Sequence, residues 1–185
     1  MMTTQNVLLF AISSLIVWYL SHQAGRLDRL HHRIEVSELA LHGQLNRRAG
    51  IVAELASVAS IDPALSAVWG DAAHDVLALE DDSSASRTDT ENELTQVLVA
   101  TLDDDEEVDE ISRDPFAAKL LGELAHAANR IQMGRRFHAD AVRDCLEIRN
   151  QTLVRIFFLA GHAPMPRTID FDDQIPAGLR DSRNL

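Results

Sequence analysis

Residues 7–20 read Val7-Leu8-Leu9-Phe10-Ala11-Ile12-Ser13-Ser14-Leu15-Ile16-Val17-Trp18-Tyr19-Leu20, and no Asp, Glu, Lys or Arg precedes Arg26. Arg29 and Arg33 then follow in quick succession. An uncharged apolar start that runs into arginines is the pattern of a one-helix membrane anchor. The strict run has 14 residues, about 21 Å of helix, against a bilayer core about 30 Å thick. Extending it through the uncharged Thr3 and Ser21 gives 19 residues, about 28 Å, which nearly spans. Trp18 and Tyr19 stand at its end, where aromatic rings favour the headgroup level.

Two other readings compete, a cleaved signal peptide and a soluble core helix. A signal peptide wants a basic residue before the run and a small-x-small site after it. Met-Met-Thr-Thr-Gln-Asn supplies no base, and Ser21-His22-Gln23-Ala24-Gly25 is a poor cleavage site. These flanks favour an anchor over residues 1–25. Arginines follow the span and none precedes it, so the positive-inside rule predicts a single-pass cell-membrane protein with its soluble body in the cytoplasm. The one cysteine, Cys145, offers no intramolecular disulfide and is compatible with a reducing compartment.

The remainder of the chain is long enough for one ordinary domain with its own core. Strand signals are scarce, aromatic residues make up 5% of the chain, and Ala, Leu, Arg and Glu dominate. The expected body is all-helical over residues 26–162. A first soluble helix over residues 26–59 continues from the anchor. Leu27, Ile34, Leu41 and Leu55 share one heptad position, and Leu45, Val52 and Ala59 another. Glu38 and Arg48 interrupt that seam, as edge positions with extended side chains or as a buried polar pair that sets register. Asp62-Pro63 predicts the start of a second helix over 63–79, with Asp62 as N-cap. Thr90-Glu91-Asn92-Glu93 reads as a capping box opening a third helix to about Leu102. Asp114-Pro115 opens a long fourth helix to Leu153 or beyond, with Leu121, Leu124, Ala128, Ile131, Val142 and Cys145 as its core stripe. Ala163-Pro164-Met165-Pro166 forbids helix, and residues 163–185 read as a loosely ordered tail. Two long helices with shorter ones between them fold most simply as an antiparallel bundle, a rod projecting from the membrane.

Charge is concentrated. The net charge is −12, and residues 80–114 alone hold 14 Asp or Glu against Arg87 and Arg113. That segment, with the run Asp103-Asp104-Asp105-Glu106-Glu107, reads as a solvated, self-repelling loop or as a docking or cation site. An EF-hand is not indicated, because its glycine and ligand spacing are missing. Sixteen of the 17 basic residues are Arg. Arg130, Arg135, Arg136, Arg143, Arg149 and Arg155 mark the long fourth helix. With carboxylates interleaved among them and an acidic chain overall, no nucleic-acid partner is expected.

No stretch reads as a catalytic motif, and the chain is expected not to be an enzyme and to take no cofactor. Glu123-Leu124-Ala125-His126 has the Glu-x-x-His spacing of di-metal carboxylate bundles, with Asp71, His74, Glu38 and His42 as conceivable partners. A metal-binding bundle with enzymatic activity is therefore the alternative reading, although such spacings arise easily in a helical chain. Cys145 and His138 lie seven apart, but Cys145 sits at a core position and a nucleophile also needs an orienting third group. His31-His32 reads as an interfacial polar pair. The apolar stretch 153–161, with Phe157 and Phe158, either caps the bundle core or lies on the membrane or on a partner.

Several of these motifs together resemble the LemA family. Gln44-Leu45-Asn46-Arg47-Arg48 resembles its Gln-Leu-x-Arg-Arg stretch. Glu123-Leu124, Asn129-Arg130-Ile131, Arg135-Arg136-Phe137 and Asp140-Ala141-Val142 resemble its long C-terminal helix. Residues 157–161 and Phe171 resemble its aromatic–glycine ending. The resemblance covers residues 27–171, with 80–114 poorly matched; His138-Ala139 and Cys145-Leu146 stand where that family often has Tyr-Asn and aromatic–polar pairs. It implies a membrane-tethered antiparallel bundle of long helices without established enzymatic activity. The expectation is thus a non-catalytic adaptor or scaffold, held to the membrane by its N-terminal helix. Its partners would be unidentified proteins or further copies of itself. Arg47, Arg48, Arg130, Arg135, Arg136, Phe157 and Phe158 are the candidate interaction residues, with ion pairs inside the bundle as the competing role for the arginines.

Overall fold

A computed structural model describes residues 4–79, 84–157 and 163–181. Among these residues the only regular secondary structure is α-helix: α1 (Thr4–Ala56), α2 (Pro63–Ala78), α3 (Ser84–Leu102), α4 (Asp105–Ile111), α5 (Pro115–Arg149), α6 (Thr152–Ile156) and α7 (Ala177–Asp181). The chain divides into two compact units. The smaller comprises Met1–Glu38 and Phe137–Thr168, and the larger Leu39–Arg136 and Ile169–Leu185.

The anchor segment belongs to α1, which is long and apolar enough to cross a membrane by length and composition. Its apolar side chains from Val7 to Trp18 are exposed, with Phe10 at 73%. Burying such a surface is favourable by roughly 25 cal/mol per Å². Below it, the smaller unit has a core of Leu27, Ile34, Ala141, Val142, Cys145, Ile148 and Val154. Partners across this unit run in opposite senses: His31 meets Arg149, Arg33 meets Asp144, and Ser37 meets His138.

In the larger unit the heptad residues Leu41, Leu45, Val52 and Leu55 are all buried. Partner order again descends, from Gln44–Arg130 to Arg47–Glu123. Trp69 of α2, Leu94, Leu98 and Leu102 of α3, and Leu120, Leu121 and Leu124 of α5 complete the main core. Trp69 has no exposed surface, and its indole Nε1–H donates to Thr101 Oγ1 at 2.9 Å, which satisfies the one polar atom it buries.

Both Asp-Pro starts are where the sequence puts them. Asp62 Oδ1 accepts from the Ala64 and Leu65 amides, and Asp114 Oδ1 from those of Phe116 and Ala117. Three expectations need correction. Thr90 does not open a helix: α3 begins at Ser84, and Thr90 Oγ1 donates back to Ser86 O. The acidic run is not a loop. Asp104 caps α4 through the Glu106 amide, and Asp105, Glu106 and Glu107 fill the first turn, where carboxylates face the positive end of the helix dipole. The tail, where described, is packed: Phe171, Ile175 and Leu179 are buried, and Ala177 N–H donates to Asp103 Oδ1.

Candidate functional site

The arginines chosen from the sequence have separate fates. Arg48 sits on the same heptad position as Leu41 and Leu55, and its side chain is only 4% exposed. Its Nη2 donates to Glu91 Oε2 at 2.7 Å and its Nη1 to Thr95 Oγ1 at 2.9 Å. Thr95 in turn donates within α3 to Glu91 O or to Asp172 O on the returning tail. Arg48 is therefore an internal residue and leaves the interaction surface. The buried polar pair is real, but its acid is Glu91 rather than Glu38, which is exposed. Glu91 is a helix-interior residue here, not the second position of a capping box. No local sequence pattern links residues 48 and 91.

Arg47 lies 3.5 Å from Glu123, which also meets Lys119 at 3.7 Å. Arg130 Nε donates to Gln44 Oε1 at 3.0 Å. Arg135 holds the tail: Nε donates to Asp173 Oδ2 at 2.9 Å, Nη1 reaches Asp170 and the Phe171 carbonyl, and the guanidinium stands 5.9 Å from the Phe171 ring centre. Of the five, Arg130 and Arg136 are exposed with no ion pair among the described residues, and Arg136 has no side-chain hydrogen bond there either. Phe157 is 48% exposed, and Phe158 lies outside the described residues.

His138 does not meet Cys145. It is buried, with Nδ1 3.0 Å from Ser37 Oγ and Nε2 3.3 Å from the Arg167 carbonyl. With the proton on Nε2, His138 donates to Arg167 O and Nδ1 accepts from the Ser37 hydroxyl, which otherwise donates to Ile34 O. Cys145 Sγ instead faces His31 Nε2 at 3.8 Å. That same nitrogen lies 3.2 Å from Arg149 Nη1, which also donates to Pro164 O, while Nη2 donates to Ala163 O. Burial pushes the Cys145 thiol above its ordinary range, and the Arg149 charge only partly opposes it. A buried, protonated thiol is a poor nucleophile, so this cluster is structural.

The metal candidates are scattered. Asp71, His74 and His126 are exposed, and Glu123 is occupied by Arg47 and Lys119. Among the described residues no three His, Cys, Asp or Glu gather as a metal-holding group. An open acidic groove of about 630 Å³ lies in the larger unit against Asp62, Thr101, Asp104, Glu107 and Glu110. Asp62 and Asp104 are already engaged as helix caps there.

What remains as a candidate site is a surface rather than a cleft. It is the apolar α1 stretch, followed in the smaller unit by exposed arginines and the outward face of α6. No family model matches this chain, and neither does any curated protein or solved structure.

Proposed function

We propose that this chain is a non-catalytic, single-pass membrane protein whose helical body works as an adaptor or scaffold through protein contacts. The observation that carries the reading is the exposed apolar stretch of α1, from Val7 to Trp18, ahead of a helical body. We read that body as an antiparallel bundle, a reading supported by the descending order of partners in each unit. Arg26, Arg29 and Arg33 beyond the span favour a cytoplasmic body. The resemblance to the LemA family points the same way and rests on the motifs quoted above. Of the chosen residues, Arg47, Arg130, Arg136 and Phe157 are exposed, and Arg136 and Phe157 are the two without a polar partner inside the body.

The anchor is tested by alkaline carbonate extraction of membranes carrying the full chain. The native protein stays in the pellet, and Ile12→Arg with Ile16→Arg releases it. In-cell crosslinking with pull-down tests the scaffold reading, and sedimentation in mild detergent reports self-association. A chain that recovers no specific partner or second copy, yet turns over a substrate, overturns it.

A further inference from the structure

We infer that the smaller unit makes a second contact with the bilayer, in which α6 lies in the headgroup layer of an anionic lipid surface and three free arginines hold it there. The inference rests on the reading of α1 as the anchor.

The sequence of α6 is Thr152-Leu153-Val154-Arg155-Ile156, closed by Phe157. Val154 points inward, into the same core cluster as Leu27 and Ile148. Residues 153, 156 and 157 are spaced i, i+3, i+4 and so share one face, about 100° around the helix from Val154. They are Leu153, Ile156 and Phe157, exposed at 44%, 60% and 48%. Leu27 lies two turns beyond Leu20, the last residue of the apolar run. The outward face of α6 therefore belongs to the end of the smaller unit where the span begins.

Charge identifies the occupant. Within residues 18–33 and 149–157 there are five arginines and a single carboxylate, Asp28. Arg26, Arg29 and Arg155 are exposed and have no ion pair among the described residues. Farther along the same unit Arg33 is partnered by Asp144 and Arg143 by Asp140, while Arg167 is exposed with no ion pair among the described residues. A helix face of Leu, Ile and Phe flanked by unpaired arginines is the composition that seats on anionic lipid, where apolar insertion and headgroup attraction add. A protein partner for the same face would need its own carboxylate belt beside an apolar ridge, immediately next to a bilayer.

The test uses the full chain, with Cys145→Ala, reconstituted into vesicles of phosphatidylcholine alone or mixed with phosphatidylglycerol. Nitroxide labels are placed singly by Leu15→Cys, Leu153→Cys, Ile156→Cys and Leu77→Cys, the last an exposed position in the larger unit. Accessibility to oxygen and to a water-soluble nickel chelate is then read at each. In mixed vesicles, labels at 153 and 156 show a several-fold higher oxygen-to-nickel ratio than the label at 77. That excess falls in phosphatidylcholine alone, and it falls equally in mixed vesicles on Arg26→Gln, Arg29→Gln and Arg155→Gln together. An aqueous signal at 153 and 156 while 15 is immersed overturns this contact and leaves the anchor standing. Shielding of 156 from both probes means a protein cover and also overturns it. Immersion indifferent to lipid charge and to the arginine changes overturns the role given to the arginines. An aqueous label at 15 brings down the anchor reading, and this inference with it.

Discussion

Arg48 and Glu91 illustrate how an ion pair can be costly to break without contributing much by being there. Both side chains are almost fully enclosed, and Arg48 Nε and Glu91 Oε1 have no hydrogen-bond partner. The short contact at 2.7 Å offsets part of the desolvation of two charges, but these two atoms leave it incomplete. Replacing Arg48 alone by Met would strand a carboxylate in an apolar core, and the expected loss is about 3–5 kcal/mol by urea denaturation. Replacing both, as Arg48→Met with Glu91→Leu, should recover most of it. A double variant no more stable than the single would mean that the pair itself holds the core together. From the sequence, Arg48 could be seen to break the heptad. Its partner, 43 positions away on a helix of different phase, could not.

Among the elements, the clearest sequence signals were local ones. Each Asp-Pro start carries its own capping chemistry within four residues, so both were readable. Asp114 also accepts the Ser60 hydroxyl at 2.7 Å, and this bond, with the Phe116 amide, holds its carboxyl below the ordinary carboxylate range. A lowered native value contributes stability at pH above the unfolded value, and the contribution disappears as pH falls through the native one. Asp114→Asn should therefore lower stability near neutrality and flatten its fall as pH drops below the ordinary carboxylate range, seen in urea midpoints. Other elements were misread because their signal was long-range. Phe171, Ile175 and Leu179 recur every four residues, a pattern obscured by the prolines among and before them; Phe171 needs Leu41, Leu45 and Ile131 of α1 and α5, and α7 needs α3 and α4. Gly178 marks how closely the tail approaches: a Cβ there would stand 2.6 Å from Val108 Cγ2 and 2.8 Å from the Leu102 carbonyl oxygen. The backbone oxygen gives no room, so Gly178→Ala should cost about 1–3 kcal/mol and expose residues 169–181 to limited proteolysis. Unchanged protection of the tail would show that α7 can shift without loss.

At the scale of the molecule, charge divides with the fold. The smaller unit has seven basic and six acidic residues, and the larger has ten basic and 23 acidic. The sequence showed that acidity clusters in residues 80–114 and placed a helix over 90–102, but not that helical structure would also cover 84–89 and Asp105–Ile111 or that α4 would join one unit's core. Self-repulsion in a unit of net charge −13 weakens its compact state, and salt screens it. Raising ionic strength from very low to about 0.15 M, where the Debye length is about 8 Å, should therefore raise the thermal midpoint of the full chain in neutral detergent. A midpoint that falls instead would mean that ion pairs such as Arg135–Asp173 outweigh the repulsion.

The return of the tail also sets a schedule for biogenesis. Each unit is assembled from two stretches of chain separated in sequence, and the larger is closed by Ile175 and Leu179 near its far end. A ribosome adds about 5–20 residues per second. The apolar segment precedes both cores in the chain, so on the anchor reading it can meet the insertion machinery before they are made. The smaller unit's core waits for residues up to Val154 and the larger unit's for residues up to Leu179. On the anchor reading proposed above, an incomplete core waits for its second stretch on a chain held at the membrane, apart from other nascent chains.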